Sequence, residues 1–114
     1  VQYCAGYIAK IYQEMGGKVI YIGKPHIEIY KEVLEHFKTI EKSRILCIGD
    51  SFETDIKGAH NLGFDSLIVL GGIHNSEIYA NKFLEQNLFK LASQHNLLPT
   101  FAIELLTPFE QKSI

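Results

Sequence analysis

Apolar residues recur every three or four positions in four segments of the chain, which is the spacing of an amphipathic helix. The first helix is expected to run for about fifteen residues and to end at Gly16 and Gly17, because glycine commonly ends helices. The third predicted helix is expected to end at Gly63 for the same reason. The fourth predicted helix includes Phe83. The four helices are predicted to begin near Tyr3, Pro25, Thr54 and Ser76.

Short apolar runs between these helices predict strands. They lie at residues 18–22, 45–48, 66–70 and 100–103. The run at 45–48 is typical of a strand that a parallel sheet buries on both faces. Alternating helices and strands with short connections indicate an α/β fold with a partial doubly wound, Rossmann-like parallel sheet.

Composition is that of an ordinary globular domain. The 114 residues are 46% hydrophobic and 21% charged. A net charge of −2 gives no electrostatic basis for binding nucleic acid or an anionic membrane. The longest apolar runs are too short to cross a bilayer. Cys4 and Cys47 fit neither a metal nor a redox spacing, so we expect inert free thiols in the cytoplasm.

Two carboxylates follow the predicted strand at 45–48. Gly49 lets the backbone leave the sheet, so Asp50 emerges at the carboxyl end, which is the edge where open α/β sheets bind ligands. Thr54 is a suitable N-cap for the next helix, and Asp55 lies in its first turn. Two such carboxylates suit Mg²⁺, which takes one or two carboxylates together with waters and phosphate. Both residues are also ordinary capping choices that need no metal, and this alternative stays open.

Gly23, Lys24 and Pro25 follow the first predicted strand. Pro25 suits the first position of a helix, which would place Lys24 at a helix N-terminus that already favours anions. The lysine would add a charge that holds a phosphate or neutralises a carboxylate. The plainer alternative is a solvated loop lysine. His26 lies beside this segment and could touch a substrate, but neutral surface or helix positions are expected for all five histidines.

Together these motifs resemble the haloacid dehalogenase (HAD) superfamily. The pattern is Gly-Lys-Pro, a helix, a strand and then Gly-Asp-x-x-x-Thr-Asp. The continuation from Asp55 to Gly63 is similar to the NagD-like subclass, called class IIA, which includes phosphatases of sugar phosphates, nitrophenyl phosphate and pyridoxal phosphate. The resemblance runs from about Ala5 to Gly72 and implies a HAD-like core with Mg²⁺ as its cofactor.

The resemblance also implies a role for each residue of the two motifs. Lys24 would orient the nucleophile and the phosphoryl group. Asp50 would be a direct Mg²⁺ ligand, and Asp55 would hold a metal-bound water from the outer shell. The supporting loops would consist of Gly23, Gly49, Ser51 and Thr54.

The family begins with an Asp-x-Asp motif that supplies the nucleophile, and this chain does not contain that motif. It has three aspartates, none spaced in that way, at Asp50, Asp55 and Asp65. We therefore expect residues 1–114 to be the C-terminal portion of a HAD-like hydrolase core that lacks its N-terminal strands and its cap. The strand ending at Asp50 would then have an open edge, covered by the missing N-terminal portion or by self-association.

The expected parent enzyme is a Mg²⁺-dependent phosphatase of small phosphomonoesters that acts through an aspartyl-phosphate intermediate. Its partner would be a small phosphorylated metabolite, with neither nucleic acid nor a membrane as a partner. The 114-residue chain itself is expected to be inactive. The alternative is a non-catalytic α/β interaction module that retains the HAD scaffold, which the absent Asp-x-Asp motif favours.

Overall fold

The computed structural model describes residues 4–82 and 84–107. Within these ranges there are five α-helices, which are α1 (Ala5–Glu14), α2 (Glu28–His36), α3 (Lys57–Leu62), α4 (Asn75–Ile78) and α5 (Leu84–His95). The strands are β1 (Leu46–Gly49), β2 (Asp65–Val69) and β3 (Phe101–Ile103). A 3₁₀ turn at Lys42–Arg44 precedes β1, and a π-helical turn at Phe52–Ile56 leads directly into α3.

The three strands form one parallel sheet in the order β1-β2-β3. In this sheet Ile48 of β1 lies opposite Leu67 of β2, which in turn lies opposite Phe101 of β3. Because parallel strands run in the same direction, the carboxyl ends of β1 and β2 lie at one edge of the sheet. The α/β class and the parallel sheet predicted from the sequence are confirmed.

One face of the sheet is covered by helical segments. The larger core cluster joins β2 to the π-helical turn, α4 and α5, and consists of Phe52, Ile56, Ile68, Leu70, Ile78, Leu91 and Ala92. A smaller cluster packs α2 against α3 and β1, with Ala59, Leu62 and Phe64 at its centre. Each fully buried Phe or Ile side chain stabilises the fold by about 1.5–3 kcal/mol, so these clusters fix the loops that leave β1 and β2.

The opposite face of the sheet is exposed in the described residues. Leu46 and Ile48 of β1 are 44% and 51% exposed, and Phe101 of β3 is 54% exposed. The prediction that both faces of the 45–48 strand are buried is therefore wrong. Side chains alternate between the two faces of a strand, and helices cover only the face that carries Cys47.

Helix α1 confirms the predicted amphipathic pattern, but none of its residues is buried. Tyr3, where the helix was predicted to begin, lies outside the described residues. The predicted strand at 18–22 is wrong, because this segment has no hydrogen-bonded neighbour in the described sheet. The radius of gyration of 17.0 Å exceeds the roughly 13 Å of a compact domain of this size, as expected when a segment projects. The exposed apolar side chains of α1 and the residue after it are Tyr7, Ile8, Ile11, Tyr12 and Met15.

Two predicted helix starts are wrong. Helix α2 begins at Glu28, three residues after Pro25, so Lys24 does not lie at a helix N-terminus. The N-cap after β1 is Ser51, since its Oγ accepts a hydrogen bond from the Thr54 N–H at 3.3 Å. Both Ser51 and Thr54 carry a hydroxyl that can cap a helix, so the sequence alone does not decide between them. The path of the chain after β1 decides, and only the structure shows that path.

The long helix predicted from Ser76 is two helices, α4 and α5. The Asn87 side chain donates to the Ile78 carbonyl at 2.9 Å and so satisfies the end of α4. Phe83, predicted within this helix, lies outside the described residues. The predicted end at Gly63 is confirmed, because Gly63 follows α3 with a φ of 69° that favours glycine. In the part of the chain described, no helix combines the length and apolar character needed to span a membrane.

Candidate functional site

Asp50 follows β1 directly, and the loop after β2 holds its carboxylate. The Ile73 N–H donates to Asp50 Oδ2 at 3.0 Å. Gly72 packs so closely that a Cβ at this position would overlap the Asp50 carboxylate. A backbone donor and a glycine from the neighbouring strand's exit therefore fix the position of this carboxylate.

Asp55 lies in the π-helical turn and is only 8% exposed. Its Oδ2 accepts a hydrogen bond from the Ser51 N–H at 3.2 Å, and its Oδ1 accepts one from Lys24 Nζ at 2.5 Å. Gly49 lies directly behind the carboxylate, where a Cβ would overlap it. Both oxygens of this buried carboxylate thus have protein donors, as a buried charge requires.

Lys24 reaches Asp55 from a turn, in which the His26 N–H donates to the Gly23 carbonyl at 3.0 Å. The Lys24–Pro25 peptide is cis. The hydrogen bond to Asp55 raises the pKa of the Lys24 ammonium against the opposing effect of burial, and the charges of Asp55 and Asp50 also raise it. The ammonium is therefore charged at neutral pH. Its side chain is 53% exposed, so it remains accessible to an anionic ligand.

The structure thus brings Lys24, Asp50 and Asp55 to the same edge of the sheet, at the carboxyl ends of β1 and β2. Ser51 and Thr54 support this edge through the capping hydrogen bond between them. The ring of His26 stacks on that of Tyr21, with 5.3 Å between their centroids. The catalytic and metal-binding roles of these residues remain predictions.

An open groove of about 300 Å³ lies beside Asp50. Its walls are mainly apolar and include Ile48, Val69, Leu105 and Leu106, while Asp50 supplies a carboxylate. Small-molecule sites commonly combine apolar walls with a few placed polar groups, and this volume lies at the small end of their range. Because Ile48, Leu105 and Leu106 are all more than half exposed, the groove is part of the open apolar surface of the sheet.

The two carboxylates fit part of a Mg²⁺ site. Asp50 Oδ2 is bonded to Ile73, whereas Asp50 Oδ1 accepts no hydrogen bond from the described residues and can serve as a ligand. Both oxygens of Asp55 are already bonded, which suits an outer-shell position. No group of three or more His, Cys, Asp or Glu side chains in the described ranges could hold a metal ion. A complete shell would therefore need donors beyond these two, such as water and phosphate oxygens.

Cys47 of β1 lies behind Asp55 on the covered face of the sheet. Burial raises the pKa of the Cys47 thiol, and the charge of Asp55 adds to this effect. Burial likewise raises the pKa of the Tyr30 hydroxyl, which packs against Gly58. The thiolate is the reactive form of cysteine, so these surroundings make Cys47 an unreactive structural residue.

Iodoacetamide at mildly alkaline pH is expected to alkylate Cys4 faster than Cys47. Cys4 is exposed, whereas Cys47 is half-buried and has the raised pKa. Mass spectrometry of the two cysteine peptides over time measures both rates. As a control, the rates should become similar in denaturant. Equal rates in the folded protein would contradict the described position of Cys47.

The sequence interpretation missed the loop that follows β2. Gly72, Ile73 and His74 hold the Asp50 loop, and none of the three is among the candidate site residues of the sequence analysis. The parallel order offered a clue, because residues just after β2 must lie near residues just after β1. His74, for which a neutral surface or helix position was expected, directly precedes α4, and its side chain is only 14% exposed.

Comparisons with known proteins agree with the α/β fold and indicate the family. A family profile described as HAD-hydrolase-like matches residues 21–89. Chronophin of Bos taurus is 30% identical over 89 residues, which are 78% of this chain but only 27% of chronophin.

Two solved structures have a similar fold. A haloacid dehalogenase-like hydrolase from Brucella suis is 33% identical with a TM-score of 0.65, over 92% of this chain and 38% of that one. A possible sugar phosphatase of the HAD superfamily from Cytophaga hutchinsonii is 27% identical with a TM-score of 0.62, over 87% of this chain and 33% of that one. The chain thus spans about a quarter to two-fifths of the length of these relatives. With its parallel sheet, its two motifs and a family match over more than half its length, the chain belongs to the HAD-like hydrolases.

Proposed function

We propose that this chain is part of a cytoplasmic, Mg²⁺-dependent phosphatase of small phosphomonoesters, of the NagD-like class IIA. The observation that carries the proposal is the joint placement of Lys24, Asp50 and Asp55 at one sheet edge, at the carboxyl ends of β1 and β2. The similarity to a possible sugar phosphatase supports the same substrate class. The larger protein that would contain this chain is called the parent enzyme below.

Lys24 acts as the phosphoryl-binding cation in this proposal. One N–H of its ammonium donates to Asp55, and the other two have no hydrogen-bond partner in the described residues. Because the ammonium is half exposed, these donors are available to a phosphoryl oxygen. A fixed charge at the place where negative charge develops is worth several kcal/mol in a transition state, about 2.7–4 for one preorganised donor. Asp55 keeps this charge in place through its own fixed position.

Asp50 and Asp55 have different roles in the proposed binding of Mg²⁺. Asp50 offers Oδ1 as a direct ligand. Each Asp55 oxygen accepts one hydrogen bond from the protein and keeps a second lone pair, with which it would orient a metal-bound water. A bound Mg²⁺ would neutralise charge on the phosphoryl oxygens. The backbone bond from Ile73 and the close packing of Gly72 keep the Asp50 carboxylate from rotating away.

The covalent step of the proposed reaction needs a carboxylate that this chain does not supply. In the parent enzyme an Asp from the Asp-x-Asp motif would attack phosphorus, the ester bond to the alcohol would break, and water would then hydrolyse the aspartyl phosphate. Asp50 and Asp55 are committed to other contacts and are not spaced as that motif requires. The substrate's identity would depend largely on the cap.

The 114-residue chain alone is expected to hydrolyse no p-nitrophenyl phosphate above background in the presence of Mg²⁺. The parent enzyme should hydrolyse it, and EDTA should abolish that activity. Release of nitrophenolate measures both. Metal-dependent turnover by the chain alone that disappears in Asp50→Ala would contradict the missing-nucleophile argument. A parent enzyme with no activity toward any small phosphomonoester would contradict the proposed function.

A non-catalytic interaction module is the second candidate. The observation that favours it is the extent of exposed apolar surface, since Ile48 and Phe101 on the sheet and the apolar face of α1 are uncovered in the described residues. Under the leading proposal, the rest of the parent enzyme or a second copy of the chain covers this surface. The activity test above separates the two candidates, because an interaction module would not hydrolyse phosphomonoesters in any form.

A further inference from the structure

His74 uses both of its ring nitrogens. Its Nδ1 lies 3.0 Å from Glu77 Oε2, and the Phe52 N–H donates to its Nε2 at 3.4 Å. Because Phe52 supplies the proton of the second bond, Nε2 must be the acceptor. The proton of the neutral ring therefore resides on Nδ1, which donates to Glu77. We call this arrangement of Phe52, His74 and Glu77 the histidine clip.

Packing holds the clip in place. Phe52 is fully buried, and the His74 ring meets it edge-on with 5.5 Å between centroids. The ring of His95, from the last turn of α5, stacks on Phe52 at 5.3 Å with an interplanar angle of 6°. Such aromatic contacts add about 0.5–1.5 kcal/mol beyond the area they bury. The core thus fixes the direction of the imidazole.

The clip joins the two loops that define the position of Asp50. Phe52 lies two residues after Asp50, and His74 follows Ile73, whose N–H donates to the Asp50 carboxylate. The loop after β1 and the loop after β2 are therefore connected twice, by the Ile73–Asp50 bond and by the Phe52–His74 bond. Losing the second connection would let the Asp50 backbone move relative to the donor that holds its side chain.

We propose that His74 is a positioning residue for the Asp50 carboxylate, acting through its bond to the Phe52 N–H and oriented by Glu77. This inference rests on the proposed function only in treating Asp50 as a metal ligand. Both ring nitrogens of His74 are used by protein partners, so the proposal gives His74 no direct contact with substrate or metal. Partners that orient metal ligands typically change metal affinity by about 10–100-fold when they are removed.

The test compares three variants in the parent enzyme. His74→Leu removes the acceptor for the Phe52 N–H, whereas His74→Gln can keep an oxygen close to the position of Nε2. His60→Leu is the matched control, since His60 is an exposed histidine on α3. Hydrogen exchange of the Phe52 and Ile73 amides reports on the clip, and calorimetric titration with Mg²⁺ reports on the site. The Mg²⁺ concentration that gives half-maximal turnover is measured alongside.

His74→Leu is expected to lose protection at the Phe52 and Ile73 amides while Ile68, in the centre of β2, stays protected. Its Mg²⁺ requirement should rise by about tenfold or more, and saturating Mg²⁺ should restore most of the rate. His74→Gln should recover most of both properties, and His60→Leu should match the wild type. If His74→Gln is as impaired as His74→Leu, ring packing and not the acceptor bond is responsible, and the proposal is wrong.

Two further results keep the inference separate from the proposed function. A parent enzyme without Mg²⁺-dependent activity would refute the function, while amide exchange in the same variants would still decide whether the clip holds the loop. If His74→Leu does not fold, Glu77→Ala replaces it, because Glu77 is 59% exposed and tolerates truncation. Glu77→Ala should shift the Mg²⁺ requirement in the same direction by a smaller factor, and an unchanged requirement would refute the proposal.

Discussion

Replacing Asp50 by Asn in the parent enzyme is expected to lower the phosphatase rate by about 10²-fold or more, comparable to the loss of one preorganised transition-state contact. The change keeps the size of the side chain and an acceptor for the Ile73 N–H, but removes one charge from the direct ligand of the metal. The apparent affinity for Mg²⁺ should therefore fall, and raising Mg²⁺ should recover part of the lost rate. Initial rates across a Mg²⁺ titration measure both effects.

Lys24→Ala is the comparison that assigns the role of each residue. It should lower the rate without recovery by added Mg²⁺, because the metal does not replace a cation at the phosphoryl oxygen. Asp55→Asn should cost less than Asp50→Asn, since outer-shell losses are about 10–100-fold. Part of its loss should not respond to Mg²⁺, because the amide also lacks the charge that pairs with Lys24. If Asp50→Asn and Lys24→Ala respond equally to Mg²⁺, or if neither differs from the wild type, the roles assigned here are wrong.

Gly72→Ala is expected to reduce activity by about 10²-fold, because a displacement of about 1 Å in a catalytic group can cost that much. The new Cβ would overlap the Asp50 carboxylate and force it away from the Ile73 N–H. The apparent Mg²⁺ affinity should fall together with the rate. Kinetics and thermal denaturation of the same preparation distinguish a misplaced carboxylate from a general loss of fold.

Gly6→Ala provides the control for this substitution. A Cβ at Gly6 would meet nothing within 4 Å, and the residue lies on the polar face of α1 with Lys10 and Gln13. This variant should keep full activity and gain slightly in helix stability, by about 0.5–1 kcal/mol at most. Wild-type kinetics in Gly72→Ala would show that the carboxylate tolerates the added methyl group and that the described packing is not required.

Local residue choice was sufficient to predict several parts of the fold. The glycine after α3, the apolar runs of β1, β2 and β3, and the α/β order follow from rules that act within a few residues. The two motifs that contain Lys24, Asp50 and Asp55 were equally visible, since each lies where a strand or turn gives way to a helix. Because both motifs are short, continuous stretches of sequence, the family could be inferred from the sequence alone.

Features that depend on a neighbour in space could not be predicted in this way. The segment at 18–22 has the composition of a strand but no described partner, and β1 has an exposed face that its apolar sequence did not indicate. Composition determines what a strand can do, whereas hydrogen bonding and burial depend on which segments lie beside it. The break between α4 and α5 is of the same kind, because the Asn87 side chain supplies the bond that ends α4.

The sequence by itself determined the family and the parallel α/β class, and it supplied the prediction that Lys24, Asp50 and Asp55 carry the chemistry. Only the tertiary structure decided which hydrogen bonds hold the site together. Lys24 donates to Asp55, the Ile73 N–H donates to Asp50, and the Phe52 N–H donates to His74. These contacts join residues 22 to 31 positions apart in the chain. Periodicity and capping rules act over a few residues, whereas the parallel pairing of β1 and β2 brings the two loops together at one edge of the sheet.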